Sequence, residues 1–338
     1  MKLKYITIIA MAILLPASCA REKTVGKNDD AKRFFDAWIA TNHPGATRTP
    51  LGAYIIGENA GTGTEAGSLA YIRVNYTTYT LKGEVQSTTL ENIARQTGTY
   101  SETTYYGPVI GYRGDGLENM SAGLEEAVAT MKVGGRKTVV IPGWLSETER
   151  YYTEEEYLKN CSGTDLIYDL ELVDAFDDIE AWELDSLRRF MSGNYPEAVE
   201  DPEKEGFFYV VTKPGLDSEF PADTTIYINY TGRLLSGRAF DTTIADTAKV
   251  WGLYSSSKTY SQQKVKWYGD GEDHTYITLG DDDTSTIPGF SYALSKMHPG
   301  EAGKCFFISN YGYSGSGSGS SIPAFSPLCF ELETTEEP

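Results

Sequence analysis

The chain has 338 residues, is 40 % hydrophobic and carries a formal net charge of −19. That length suits two domains with separate cores at roughly 150 residues each, and the acidic balance repels phosphate backbones, which argues against a nucleic-acid partner. His43, His274 and His298 are scattered and Cys161, Cys305 and Cys329 show no CxxC spacing, so neither histidine catalysis nor a metal centre is expected, and no cofactor.

Residues 1–18 read as a secretory leader, with Lys2 and Lys4 before an apolar run and small residues ahead of Cys19. The run is too short to span a bilayer as a folded helix. Cys19 resembles the lipidated first residue of a bacterial lipoprotein, which implies a lipid anchor to a membrane of the cell envelope. Residues 19–29 are polar and read as a tether. The spacing of Phe34, Phe35, Trp38 and Ile39 then predicts an amphipathic helix with one apolar stripe, opening a first domain over 30–177. Strands are expected over 52–56 and 70–80, a short helix over 123–131, a turn at Gly134, and strands over 136–142 and 165–173.

A second amphipathic helix at 178–190 opens a second domain, 178–338. Strands are expected over 206–212 and 225–241, the latter folded back at Ser236-Gly237. Residues 244–274, rich in Ser, Thr, Lys, Gly and Tyr, read as an insertion that leaves the sheet. A helix over 289–297, a turn at Gly300, and strands over 304–309 and 327–333 complete the domain. The Gly/Ser run 314–321 reads as a mobile loop on composition. One helix against a mostly antiparallel sheet makes each domain α+β.

The two domains are copies. At an offset of 154, as from Gly52 to Gly206, residues 52–106 fall on 206–260 without a gap. Gly61, Tyr76, Gly83, Thr88, Thr89, Gly98, Tyr100 and Tyr106 meet Gly215, Tyr230, Gly237, Thr242, Thr243, Gly252, Tyr254 and Tyr260. Shared glycines mark shared backbone demands. The copies part at Phe240-Asp241, for which the first copy is read as carrying Val85-Gln86.

The second copy collects Tyr230, Phe240, Asp241, Ile287, Phe290, Tyr313, Ile322 and Phe330: aromatic or apolar side chains, two phenols and one carboxylate. No activated nucleophile and no carboxylate pair for glycoside hydrolysis accompanies them. Such a set suits an apolar ring, or a reaction that breaks no covalent bond. The ordered motifs Tyr230-Thr231-Gly232, Phe240-Asp241-Thr242-Thr243, Ile287-Pro288-Gly289-Phe290, Tyr311-Gly312-Tyr313, Ile322-Pro323 and Phe330-Glu331-Leu332-Glu333 resemble the FKBP family of FK506-binding peptidyl-prolyl cis-trans isomerases. The resemblance implies an antiparallel sheet curled around a short helix, with substrate proline bound between them. It gives Phe240 and Phe330 the pocket walls, Phe290 a floor usually made by Trp, and Ile287 a backbone N–H for the substrate. Asp241 would lie beside the reacting amide, oriented by Tyr230, with Tyr313 donating to a substrate carbonyl and Ile322 at the rim. Another wall aromatic is expected near Thr275 or Tyr276. Implied partners are proline-containing polypeptides and FK506-like macrolides.

In the first copy Tyr76 persists, but Ser121 stands for Ile287, Leu124 for Phe290 and Tyr168 for Phe330, and nothing replaces Tyr313. Little activity is expected there. The overall expectation is a lipid-anchored isomerase assisting exported proteins through its second domain. The alternatives are a non-catalytic peptide-holding lipoprotein and an envelope interaction protein on the same fold.

Overall fold

The computed structural model describes residues 28–113, 119–221, 224–267, 277–280 and 284–336. The leader, Cys19 and the Thr275/Tyr276 position lie outside them.

The first domain runs α1 (Asp29–Asn42), β1 (Thr47–Arg48), β2 (Tyr54–Asn59), β3 (Tyr71–Thr80), β4 (Val85–Thr88), α2 (Glu91–Thr97), β5 (Val109–Tyr112), α3 (Ala122–Val128), β6 (Arg136–Ile141), α4 (Glu154–Asn160) and β7 (Leu166–Phe176). The second follows with α5 (Ile179–Asn194), β8 (Phe207–Lys213), β9 (Thr224–Leu234), β10 (Ala239–Thr242), α6 (Ala245–Val250), β11 (Gln263–Trp267), β12 (Ile277–Leu279), β13 (Thr284–Ser285), α7 (Pro288–Ser295), β14 (Ala302–Phe307) and β15 (Leu328–Thr335). The sheets are ordered β1-β2-β6-β7-β3-β4 and β13-β12-β11-β9-β15-β14-β8, with β5 added to β3 and β10 to β9. Their pairings are antiparallel, including the central β3–β7 and β9–β15 pairs.

The duplication extends to hydrogen bonds. The Tyr76 N–H donates to Thr89 Oγ1 at 2.9 Å, and the Tyr230 N–H to Thr243 Oγ1 at 3.0 Å. The hydroxyls of Thr77 and Thr88 lie 2.8 Å apart, those of Thr231 and Thr242 2.9 Å. The Tyr100–Tyr106 stack at 5.4 Å is repeated by Tyr254–Tyr260 at 5.3 Å. Each core helix lies so close to its sheet that its first turn needs glycine. A Cβ at Gly123 would meet Ile141 at 2.4 Å, and one at Gly289 would meet Phe307 at 2.7 Å.

Four expectations are corrected. Phe34 is 61 % exposed while Phe35 is fully buried, Ile39 nearly so and Trp38 partly, because the core-facing stripe of α1 runs through Phe35, Trp38 and Ile39 and leaves Phe34 outside it. The strand pairs Thr77↔Thr88 and Thr231↔Thr242 place Gln86 and Ser87, not Val85 and Gln86, at the positions of Phe240 and Asp241. A bulge in β4 and another in β10 hold that register in both copies, and the 154-residue offset agrees with it. Residues 244–274 do not leave the sheet as one insertion. β11 pairs with β9 through Gln263↔Ile228, as β5 pairs with β3 through Val109↔Val74 at the same offset. The added chain therefore lies beyond β11. Finally, the Gly/Ser run is folded: it contains a 3-10 turn at Ser314–Ser316 and a Ser318↔Ile322 bridge.

Each sheet wraps its own core, one centred on Phe35, Trp144 and Leu172, the other on Phe290, Phe307 and Phe330. α5 covers the second sheet through Leu184, Leu187 and Met191, packed on Phe208, Phe306 and Ile308. Cys161, Cys305 and Cys329 are buried and form no disulfide among the described residues. No described helix is long and apolar enough to cross a membrane.

Candidate functional site

Between α7 and the concave face of the second sheet lies a cavity of about 480 Å³. Tyr230, Phe240, Asp241, Ile287, Phe290, Tyr313, Ile322 and Phe330 all line it, joined by Leu279, Ser285, Thr286, Ser318 and Ser321. Four elements and one loop bring them together: β9 gives Tyr230, β10 Phe240 and Asp241, the start of α7 Ile287 and Phe290, β15 Phe330, and the loop before β15 Tyr313 and Ile322.

The aromatic walls are packed edge to face. Phe330 meets Phe240 at 5.6 Å and 82°, and Phe290 at 5.0 Å and 76°. Tyr230 meets Phe290 at 5.5 Å and 80°. These separations and angles are the favoured ones for ring quadrupoles. Gly232 makes the arrangement possible. A Cβ there would lie 2.5 Å from the Phe240 ring and 2.9 Å from that of Phe330. The corresponding residue of the first domain is Thr78, which is buried and pairs with Tyr168.

Ile287 caps α7 with an extended backbone (φ −67°, ψ 144°), and Pro288 follows at the first helical position, where its missing N–H costs nothing. Phe290 is only 3 % exposed and forms the buried end of the cavity. Thr286 Oγ1 is enclosed and has no hydrogen-bond partner among the described residues.

Asp241 is held by three donors. The Tyr230 hydroxyl donates to Oδ2 at 2.6 Å, the Thr242 N–H donates to Oδ1 at 2.9 Å, and Lys258 Nζ donates to Oδ1. Burial and the Asp241 carboxylate push Tyr230 well above the usual phenol range, so it remains a donor. Burial and the same carboxylate also raise Tyr313. The result is an aromatic hollow edged by the Asp241 carboxylate and the phenols of Tyr230 and Tyr313.

Sequence reasoning missed Lys258. A signal was present: at the 154-residue offset Lys258 falls on Thr104, as Asp241 falls on Ser87, so acid and base are absent together from the first copy. At Ile287, Phe290 and Phe330 the first domain has Ser121 capping α3, Leu124 in that helix, and Tyr168 opposite Thr78.

Residues 217–335, within the second domain, match the family model of FKBP-type peptidyl-prolyl cis-trans isomerases. Among solved structures, a peptidyl-prolyl cis-trans isomerase from Pseudomonas syringae pv. tomato is 26 % identical with a TM-score of 0.32, over 48 % of this chain and 97 % of that one. The three FKBP domains of wheat FKBP73 are 17 % identical with a TM-score of 0.30, over 84 % and 94 % of the two chains. FkpA from Escherichia coli is 19 % identical with a TM-score of 0.31, over 44 % and 60 %. No curated protein matches the chain.

Proposed function

We propose that the chain catalyses cis-trans isomerisation of X–Pro bonds in exported polypeptides, and that the catalysis resides in the second domain. The observation that carries this reading is the convergence of Phe240, Phe290 and Phe330 with Asp241 and Tyr313 on one cavity.

The chemistry asks for little more. X–Pro rotation is slow because amide resonance must be broken, at a barrier of about 20 kcal/mol. In the twisted amide the nitrogen and carbonyl lose conjugation. An aromatic hollow strips water from the planar ground state, and a twisted amide depends less on that water. Asp241, fixed by Tyr230, lies beside the reacting amide, the Ile287 N–H and the Tyr313 hydroxyl donate to the substrate chain, and Ile322 lines the rim. Acceleration by about 10⁵ corresponds to about 7 kcal/mol of preference for the twisted form. No proton need move, and no cofactor enters.

The first domain has Gln86 and Ser87 where this scheme needs Phe240 and Asp241, and contributes little rate. FK506-like macrolides are proposed ligands of the same cavity. Cys19 is the proposed lipid anchor to the bacterial envelope; a Cys19→Ser chain that still sediments with membranes would refute it. A second reading, peptide holding without catalysis, is favoured by exposed apolar side chains on and beside α6: Ile244 is 40 % exposed, Val250 79 % and Tyr254 50 %. A protease-coupled proline isomerisation assay separates the two. A catalyst loses rate in Asp241→Ala and Phe240→Ala chains; a pure holder has no rate to lose.

A further inference from the structure

The pocket is completed by a loop that its own composition does not stiffen. Residues 314–321 are all Gly or Ser, yet Ser318, Ser321 and Ile322 line the cavity. Internal bonds fold the loop: Ser318 and Ile322 exchange backbone hydrogen bonds at 2.8 and 3.1 Å, and the Phe325 N–H donates to Ser314 O at 2.8 Å. The fold is strained, because Ser314 (φ 47°) and Phe325 (φ 55°) are the non-glycine residues with positive φ among those described. Such conformations persist only where the surroundings hold them.

The surroundings are supplied by the other domain. The Tyr105 N–H, from the first domain, donates to Ser320 O at 2.7 Å, and its half-buried ring packs on the second core. Tyr71, on β3, meets the Phe325 ring edge to face at 5.5 Å and 90°. Tyr71 is itself fixed by stacking on Tyr112 at 4.6 Å and Phe176 at 5.7 Å, and Phe176 stacks on Trp182 of α5 at 4.9 Å. An aromatic chain thus runs from the first sheet to the strained end of the loop. Beside these contacts the two domains leave a cavity of about 480 Å³, lined by Arg73, Tyr105, Trp182, Arg189 and Phe325 among others. Tyr105 and Tyr71 thus reach the loop and its end directly from the first domain.

We infer that the first domain, having lost the site residues, serves as a brace that holds the pocket rim of the second, with Tyr105 and Tyr71 as positioning residues. Their use in turnover rests on the isomerase reading; the bracing does not. Hydrogen exchange on the full chain tests it. In Tyr105→Ala and Tyr71→Ala, amides of residues 316–325 are expected to exchange about tenfold faster, with those of β14 unchanged and Tyr105→Phe behaving as the parent. The expectation holds even if Tyr105→Ala unfolds the first domain, since that too removes the brace. Unchanged exchange at the rim in both alanine variants overturns the inference. In the isomerase assay, Tyr105→Ala is expected to raise KM about fivefold with kcat changed less, and Tyr105→Phe to restore it. A parent chain without activity would sink the isomerase reading and leave the exchange result to judge the brace.

Discussion

The two domains share a backbone and differ in what it displays. Tyr76 and Tyr230 sit on matching strands with matching threonine bonds, and each core helix is seated by a glycine. Yet Gly232, Phe240, Asp241 and Phe330 of the second domain face Thr78, Gln86, Ser87 and Tyr168 in the first. The loss is coordinated: Gly232 leaves the space into which Phe240 fits, and a residue with a Cβ there would close it. The frame of such a domain is set by turns and threonine ladders, and the pocket by a handful of side chains that can be exchanged without touching the frame.

The sharpest way to separate the copies is to remove a floor. Phe290 is 3 % exposed, and Phe290→Ala is expected to cost the second domain about 3–5 kcal/mol. Leu124→Ala, at a half-buried position, should cost the first domain about 1–2 kcal/mol. Denaturation followed through exchange of β14 and β6 amides reads each domain separately. Equal losses would mean that the two floors are packed alike.

A second comparison concerns the turn after the inner strand. In the first domain the Gly143 N–H donates to Asp165 Oδ1 at 2.8 Å; in the second, the Ser309 N–H and hydroxyl donate to the Glu183 carboxylate at 3.3 and 2.8 Å. Burial, opposed by the Ser309 bonds and helped by nearby Glu180, raises Glu183 from 4.5 to about 7. The folded chain therefore keeps a proton that the unfolded chain releases. Stability contributed here is lost as pH rises from about 4.5 to 7 and is level above. Glu183→Gln is expected to flatten that slope and to stabilise the second domain at pH 8 by about 2 kcal/mol. Denaturant midpoints at pH 5 and pH 8 measure it, and an unchanged slope would place the proton elsewhere.

The smallest expected effect is at Lys258, whose side chain is 42 % exposed. Lys258→Ala should lower kcat/KM about threefold and leave stability nearly unchanged. Lys258→Thr, which copies Thr104, should match it. A loss approaching that of Asp241→Ala would make the lysine part of the catalytic arrangement.

Much of this was legible in the chain. The repeat, both core helices and the returns at Gly134 and Gly300 follow from periodicity and glycine placement, and the grouping of the eight cavity residues from the resemblance of their ordered motifs to the FKBP family. What was not legible depended on tertiary contact. Composition made 314–321 a mobile loop, but a first-domain backbone N–H bonds Ser320 and the Tyr71 ring meets Phe325 just beyond the run. Phe34 and Phe35 look equivalent on a helical wheel until a core chooses one. The bulges that decide which residue faces Phe240 belong to strand pairing, and a reading of Val85-Gln86 slips by one where the register does not.

The central claim is that proline isomerisation resides in the second domain and not in the first, and a transplant tests it directly. Phe240→Gln with Asp241→Ser gives the second domain the residues of the first. On the full chain, kcat/KM for a proline-containing peptide is expected to fall about 100-fold while the fold is retained. A parent chain no faster than the uncatalysed reaction, or a double variant as fast as the parent, would contradict the account.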